Sequence, residues 1–210
     1  MKPEYAKHLR GLYIVTPDWD DTAQLLAATA LALQQGAALV QYRHKTADAQ
    51  QRQAQASALL ALCRQYQVPL IINDHVDLCL DIDADGIHVG GTDASIAEVR
   101  KAVGPERIVG ASCYGTLELA HAAYRDGASY VAFGGFYPSR VKKYDFRTAP
   151  EIIAHSKREI PLPVVVIGGI TLENAPPLVE QGADMVAVIS SVYLVPVEER
   201  KTRELADLYR

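Results

Sequence analysis

Two hydrophobic patterns alternate along the chain. Eight short runs, at residues 11–15, 38–42, 70–72, 86–89, 107–110, 130–133, 164–167 and 185–189, are almost continuously apolar and rich in Val and Ile. Such runs predict strands covered on both faces, since a half-exposed strand would alternate apolar and polar positions. Between them lie Ala- and Leu-rich stretches with helical spacing. Residues 22–35 have Asp21 or Thr22 as N-cap and Gly36 as a stop. Residues 48–66 end before Val68-Pro69, 95–103 before Gly104-Pro105, 116–126 before Gly127, and 172–181 before Gly182. Pro176 and Pro177 fit that last helix only if they fall in its first turn.

A phrase recurs at the junctions: QGAALVQ, DADGIHV, DGASYVAF and QGADMVAV. Each is the end of a helix, a small residue and then a strand, the mark of a βα unit. Parallel strands joined this way require right-handed crossovers. Eight units with no edge strand carrying proline or charge predict a closed (β/α)8 TIM barrel, a single domain from about residue 11 to 210. A short helix over residues 2–9 would cross its bottom, and residues 196–210 would form the last helix. A doubly wound open sheet is the alternative.

Composition narrows the partners. The 210 residues include 49% hydrophobic and 22% charged positions with a net charge of -4, an ordinary globular balance that argues against a nucleic-acid partner. No apolar run approaches membrane-spanning length, and Met1 to Tyr5 lacks the apolar core of a signal peptide. The odd set Cys63, Cys79 and Cys113 reads as reduced, buried thiols of a cytoplasmic protein. Homo-oligomerisation is left open.

In a TIM barrel, polar residues at strand C-termini become candidates for chemistry and those at strand starts do not. Strand 2 ends in Gln41-Tyr42-Arg43-His44-Lys45, where alternation puts Gln41, Arg43 and Lys45 on one side. Two cations and an amide suit a diphosphate; a solvated loop is the competing reading. After strands 3 and 4 come Asp74 and Asp93, which can face one magnesium ion or can cap the helices that follow them. His88 reads as a satisfied interior histidine, Cys79 as core, and Trp19 as a cover on the rim. Ser112, at the end of strand 5, can bond a phosphate oxygen, and Cys113 reads as inert. The long FGGFYPSRVKKYDF stretch after strand 6 suits a lid or binding loop with Lys142 and Lys143 as cations. Gly168-Gly169 after strand 7 and Ser190-Ser191 after strand 8 suit a second phosphate site built mostly of backbone. Two anion sites at one mouth fit the joining of two phosphorylated small molecules with loss of diphosphate.

Taken in order, GLYIVTPD, LVQYRHK, PLIINDHVDL, ADGIHVGGTD, GASCYGTLELA, YVAFGGFYPS, VVVIGGITLENA and GADMVAVISSV resemble the thiamine phosphate synthase family from about Gly11 to Val192. The resemblance implies a transferase that joins hydroxymethylpyrimidine diphosphate to a thiazole phosphate and releases pyrophosphate. It implies that Gln41, Arg43, Lys45 and Asn73 bind the pyrimidine diphosphate, that Asp74 and Asp93 hold Mg2+, and that Ser112 and Lys142 contact the pyrophosphate. Arg43, Lys45, Ser112 and Lys142 would thus be the catalytic set. Ser139, Gly169, Ile189 and Ser190 would hold the thiazole phosphate. The chemistry implied is a dissociative substitution through a pyrimidinylmethyl cation, which needs charge stabilisation more than a base. Two positions depart from the family: Val141 stands where a hydroxyl is usual, and Gly91 where glutamine is usual. A thiazole tautomerase-like isomerase on the same scaffold is the alternative, and a non-catalytic phosphate sensor is a third reading.

Overall fold

A computed structural model describes residues 9–90, 95–139 and 146–210. The helix expected at 2–9 falls almost entirely outside them, as do Gly91, Asp93, Val141, Lys142 and Lys143.

Eight strands close in chain order into one barrel: β1 Gly11–Val15, β2 Ala37–Tyr42, β3 Leu70–Asn73, β4 Gly86–Val89, β5 Ile108–Tyr114, β6 Tyr130–Gly134, β7 Val164–Ile167 and β8 Met185–Val188. Every neighbouring pair is parallel, and β8 returns to β1 through pairs such as Tyr13 with Ala187. The open-sheet alternative is thereby excluded. The helices that cover the barrel are α1 Thr22–Gln34, α2 Ala49–Gln65, α3 Val76–Asp81, α4 Ile96–Val103, α5 Leu117–Arg125, α6 Glu151–Glu159, α7 Pro176–Glu180, α8 Ser190–Tyr193 and α9 Thr202–Asp207. Alternate strand residues divide the apolar material into two bodies. Leu12, Ile14, Val40, Ile72, Val131 and Val166 face the helices, whereas Tyr13, Leu39, Ile71, Ile108, Tyr130 and Met185 fill the barrel.

The helix starts follow the capping residues in the sequence. Asp21 accepts from Gln24 N at 2.9 Å and Asp48 from Gln51 N at 2.8 Å. Two expectations need correction. The helix expected over 172–181 starts only at Pro176, because prolines 176 and 177 have no N–H to donate to the carbonyls of Leu172 and Glu173. The segment before it is instead a side-chain turn, in which Thr171 N donates to Asn174 Oδ1 at 2.8 Å. The last helix, expected over 196–210, is a 3-10 turn at Val197–Glu199 followed by extended Arg200 and then α9.

Inside the barrel, one missing side chain determines the packing. Gly110 pairs with His88 on one side and Tyr130 on the other. The Tyr130 ring leans across the gap and stacks on His88, with centroids 5.6 Å apart and planes 18° apart. A Cβ at position 110 would lie 2.1 Å from Tyr130 Cζ and 2.6 Å from His88 Nδ1. Gly110→Ala is therefore expected to lower unfolding free energy by about 3 kcal/mol through overpacking, read as a fall in the urea midpoint at unchanged slope.

Candidate active site at the barrel mouth

At the C-terminal end of the strands, a concavity of about 520 Å³ opens to solvent. One side of its lining is polar: Gln41, Arg43, His88, Ser112 and Tyr114, from β2, β4 and β5. The other is apolar: Val15, Ala132, Val165, Ile167, Ala187 and Ile189, from β1 and β6 to β8. The alternation expected of strand 2 holds, with Gln41 and Arg43 turned inward although both are buried. Lys45 lies past the strand end and is half exposed.

Arg43 is held by a partner that sequence reasoning passed over. Its Nη1 stands 3.1 Å from each carboxylate oxygen of Asp18, and the same carboxylate accepts from Lys45 N at 2.7 Å. Thr16 Oγ1 completes the clamp, accepting from Arg43 N at 2.8 Å and donating to Arg43 O at 2.9 Å. Asp18 and Thr16 belong to the TPD segment after β1, so one strand end braces the next. Among the described residues nothing accepts a hydrogen bond from the buried Arg43 Nε, which leaves that guanidinium with a donor to spare.

At the end of β3, Asp74 adopts a left-handed backbone with φ of 63°. That conformation costs a non-glycine residue about 1 kcal/mol and persists where surroundings impose it. Here Asp74 N donates to His88 O at 2.9 Å across to β4. The carboxylate is thereby turned toward Lys45 Nζ, with which it pairs, and toward Asn73 Nδ2 at 2.6 Å. The capping alternative weakens at both aspartates. The N-cap of α3 is His75, without a side-chain cap, and that of α4 is Ser95, which forms a capping box with Glu98. Among the described residues no three His, Cys, Asp or Glu side chains gather into a ready-made metal cage. Magnesium needs none, because it takes one or two carboxylates together with phosphate oxygens and water.

The opposite rim is less simple than its glycines suggested. Gly168 and Gly169 have φ of 116° and 62°, and a Cβ on Gly169 would sit 2.2 Å from Pro138 O. Tyr137 N also donates to Gly168 O at 3.1 Å. These glycines are required for the loop after β6 to pack against the end of β7, whatever they bind. Ile189 lines the cavity, and Ser190 opens the four-residue α8. Ser139 is the last described residue before 140–145.

His88 is the satisfied interior histidine expected of it, and it also lines the cavity, as does Tyr13, which the sequence did not single out. His88 faces the cavity, and its Nε2 is 2.9 Å from Ser112 Oγ. Tyr13 and Tyr130 meet hydroxyl to hydroxyl at 2.9 Å inside the barrel, and Gln41 Nε2 donates to Tyr13 at 2.6 Å. The available signal was alternation: 13, 41, 88 and 130 are all inward positions. Trp19 meets Tyr193 edge-on with centroids 5.7 Å apart, packed against the helix-facing apolar body.

The chain is similar to known proteins along nearly its whole length. A family model described as thiamine monophosphate synthase matches residues 12–192. The chain belongs to that family. A thiamine-phosphate synthase from Janthinobacterium sp. (strain Marseille) is 62% identical over 202 residues, covering 96% of this chain and 98% of that one. One from Thiobacillus denitrificans is 50% identical, covering 95% and 94%. The solved thiamine phosphate pyrophosphorylase from Pyrococcus furiosus superposes with a TM-score of 0.84 at 30% identity, covering 97% and 96%. Membership in the synthase family makes the chain a transferase, and the isomerase alternative finds no support among these relatives. Among the described residues no helix is long and apolar enough to cross a membrane.

The cysteines stay outside the chemistry of this family site. Burial pushes Cys63 and Cys113 up to about 12 and Cys79 up to about 11. A raised thiol pKa keeps the reactive thiolate scarce until the pH approaches that value. Iodoacetamide at pH 8 is expected to leave native protein unlabelled and to label all three cysteines in denaturant, as read by intact mass. Rapid native labelling at Cys113 would place that thiol in the mouth after all.

Proposed function

We propose that the chain condenses 4-amino-2-methyl-5-hydroxymethylpyrimidine diphosphate with hydroxyethylthiazole phosphate, forming thiamine phosphate and releasing pyrophosphate. The observation that carries this reading is the convergence of Gln41, Arg43 and Ser112 on one side of the mouth, with the Lys45–Asp74 ion pair at the ends of the neighbouring strands β2 and β3. Family membership supplies the reaction, and this convergence is where its leaving group would sit.

In the reaction, the bond between the pyrimidine methylene carbon and the diphosphate oxygen breaks, and its electron pair leaves with pyrophosphate. The thiazole nitrogen lone pair then forms the new carbon–nitrogen bond. That nitrogen carries no hydrogen and ends as a cationic ring nitrogen, so no proton has to be removed. A site for this step needs donors for the departing charge and a dry place for the cation, and no general base. Arg43 would donate to the diphosphate from its buried guanidinium, with Ser112 and Lys142 adding donors; Lys142 lies outside the described residues. Gln41 and Asn73 would position the pyrimidine diphosphate. The apolar side formed by Val165, Ile167, Ala187 and Ile189 would keep water from the carbocation.

Magnesium fits the residues present. Asp74 offers a carboxylate held beside Lys45 and Asn73, with His75 and not Asp74 at the N-cap of α3, and Asp93 would supply the second, from outside the described residues. When bound, the ion would neutralise diphosphate oxygens. Lys45 balances the Asp74 charge in the ligand-free protein, and would move from carboxylate to diphosphate as that charge is taken up by the metal. Ser139, Gly169, Ile189 and Ser190 would receive the thiazole phosphate on the opposite rim. Two small-molecule substrates, Mg2+ and a cytoplasmic location complete the reading; the free, buried cysteines suit a reducing compartment.

Purified protein incubated with both substrates and Mg2+ is expected to yield thiamine phosphate and pyrophosphate in equal amounts. No product, with tight binding of thiazole phosphate alone, would overturn the reading. Asp74→Asn keeps a residue type that tolerates the left-handed backbone. It is expected to cut kcat by about 100-fold and raise the magnesium requirement, with an unchanged thermal midpoint because Asp74 caps no helix. An unchanged magnesium dependence would remove Asp74 from the metal site.

A further inference from the structure

The barrel interior holds a continuous chain of polar contacts that runs from one edge of the polar side of the mouth to the other. Gln41 on β2 contacts Tyr13 on β1 at 2.6 Å. Tyr13 contacts Tyr130 on β6 at 2.9 Å, and Tyr130 contacts His88 Nδ1 on β4 at 2.9 Å. His88 Nε2 contacts Ser112 on β5 at 2.9 Å. The two ends are residues assigned above to the pyrimidine diphosphate, whereas the three between are not needed to line a phosphate site. Tyr13 and Tyr130 are fully enclosed, and burial raises the pKa of both hydroxyls well beyond the ordinary tyrosine range. They remain protonated, so each carries one hydrogen that it must donate to a neighbour in the chain.

Counting those hydrogens gives the chain a direction. The Gln41 amide donates to Tyr13, so the Tyr13 hydrogen goes to Tyr130. Tyr130 already accepts from Tyr13, so its own hydrogen goes to His88 Nδ1. An imidazole that accepts at Nδ1 and is neutral carries its hydrogen on Nε2, and that hydrogen points to Ser112 Oγ. Ser112 then accepts from His88 and has its hydroxyl hydrogen left for the mouth. Run backwards, the same contacts would make Ser112 donate into His88 and present only lone pairs to an incoming anion.

We propose that Tyr13, Tyr130 and His88 form a polarity-fixed relay that holds His88 in its Nε2–H tautomer and thereby makes Ser112 a hydrogen-bond donor to the pyrophosphate group. Tyr130 and His88 are positioning residues: they act through Ser112, 2.9 Å from the imidazole. Gly110 is the structural condition for the relay, because only an absent side chain lets Tyr130 reach His88. The pyrophosphate part of the proposal rests on the function proposed above; the tautomer does not.

Two measurements test it. In ligand-free protein labelled with 15N-histidine, His88 is expected to show a pyridine-like Nδ1 and a pyrrole-like Nε2, with its signals identified by their loss in His88→Asn. The opposite pattern would overturn the relay whatever the enzyme's substrate. The second measurement is titration of pyrophosphate with Mg2+ in a double-mutant cycle. Tyr130→Phe is expected to weaken binding by about tenfold in the native background and hardly at all in Ser112→Ala, as coupled members of one network do. Equal losses in both backgrounds would reduce Tyr130 to a packing residue. No pyrophosphate binding by the native protein, with the expected tautomer present, would instead count against the proposed substrate and leave the Nε2–H assignment standing.

Discussion

Closing eight parallel strands leaves an interior that must be filled with side chains, and here it is filled partly with polar ones. Tyr13 and Tyr130 come in from β1 and β6 and meet at their hydroxyls, with rings 6.0 Å apart and nearly perpendicular. A buried hydroxyl without a partner costs more than its hydrogen bond is worth, so each must be satisfied from another inward position. Gln41 and His88 do this, and both stand at the level where the barrel opens. The demand for satisfaction in the core therefore fixes side chains at the mouth. Apolar packing below and the polar site above meet at these two tyrosines.

A second brace works at the rim. Arg43 carries a buried charge that would be costly alone, and Asp18 balances it while also accepting from the Lys45 backbone. Thr16 ties the Arg43 backbone to the end of β1. Asp74 adopts a left-handed backbone that a main-chain bond to His88 helps to maintain, and its carboxylate meets Lys45 and Asn73. In each case the group proposed to meet a charged ligand is immobilised by a neighbouring strand end. Preorganisation of this kind stabilises departing charge without reorganisation during the reaction.

The two sides of the mouth differ physically, and the difference suits one kind of chemistry. Charge, amide and hydroxyl groups lie toward β2 to β5; aliphatic side chains lie toward β6 to β8. A reaction that sends an anion one way and leaves a cation in a dry pocket uses both. The glycines after β7 also serve the fold, since they admit the loop that follows β6. A Gly-Gly pair is thus weaker evidence of a phosphate site than its position alone implies.

The sequence by itself determined the strands, their closure and which polar residues stand at strand ends. Continuous apolar runs, glycine stops and capping residues are local signals, and they act over the few residues that a strand or helix turn requires. Gln41 and Arg43 were legible because alternation is a local rule as well, and the family was legible because its motifs occur together in order. What only the tertiary structure decided are the contacts between distant positions: Asp18 with Arg43, Lys45 with Asp74, and the path from Gln41 through Tyr13, Tyr130 and His88 to Ser112. His88 read correctly as a satisfied interior histidine, but a lone strand histidine carries no signal of which groups satisfy it. Its role emerges only when barrel closure brings β4, β5 and β6 into register and Gly110 leaves the space between them.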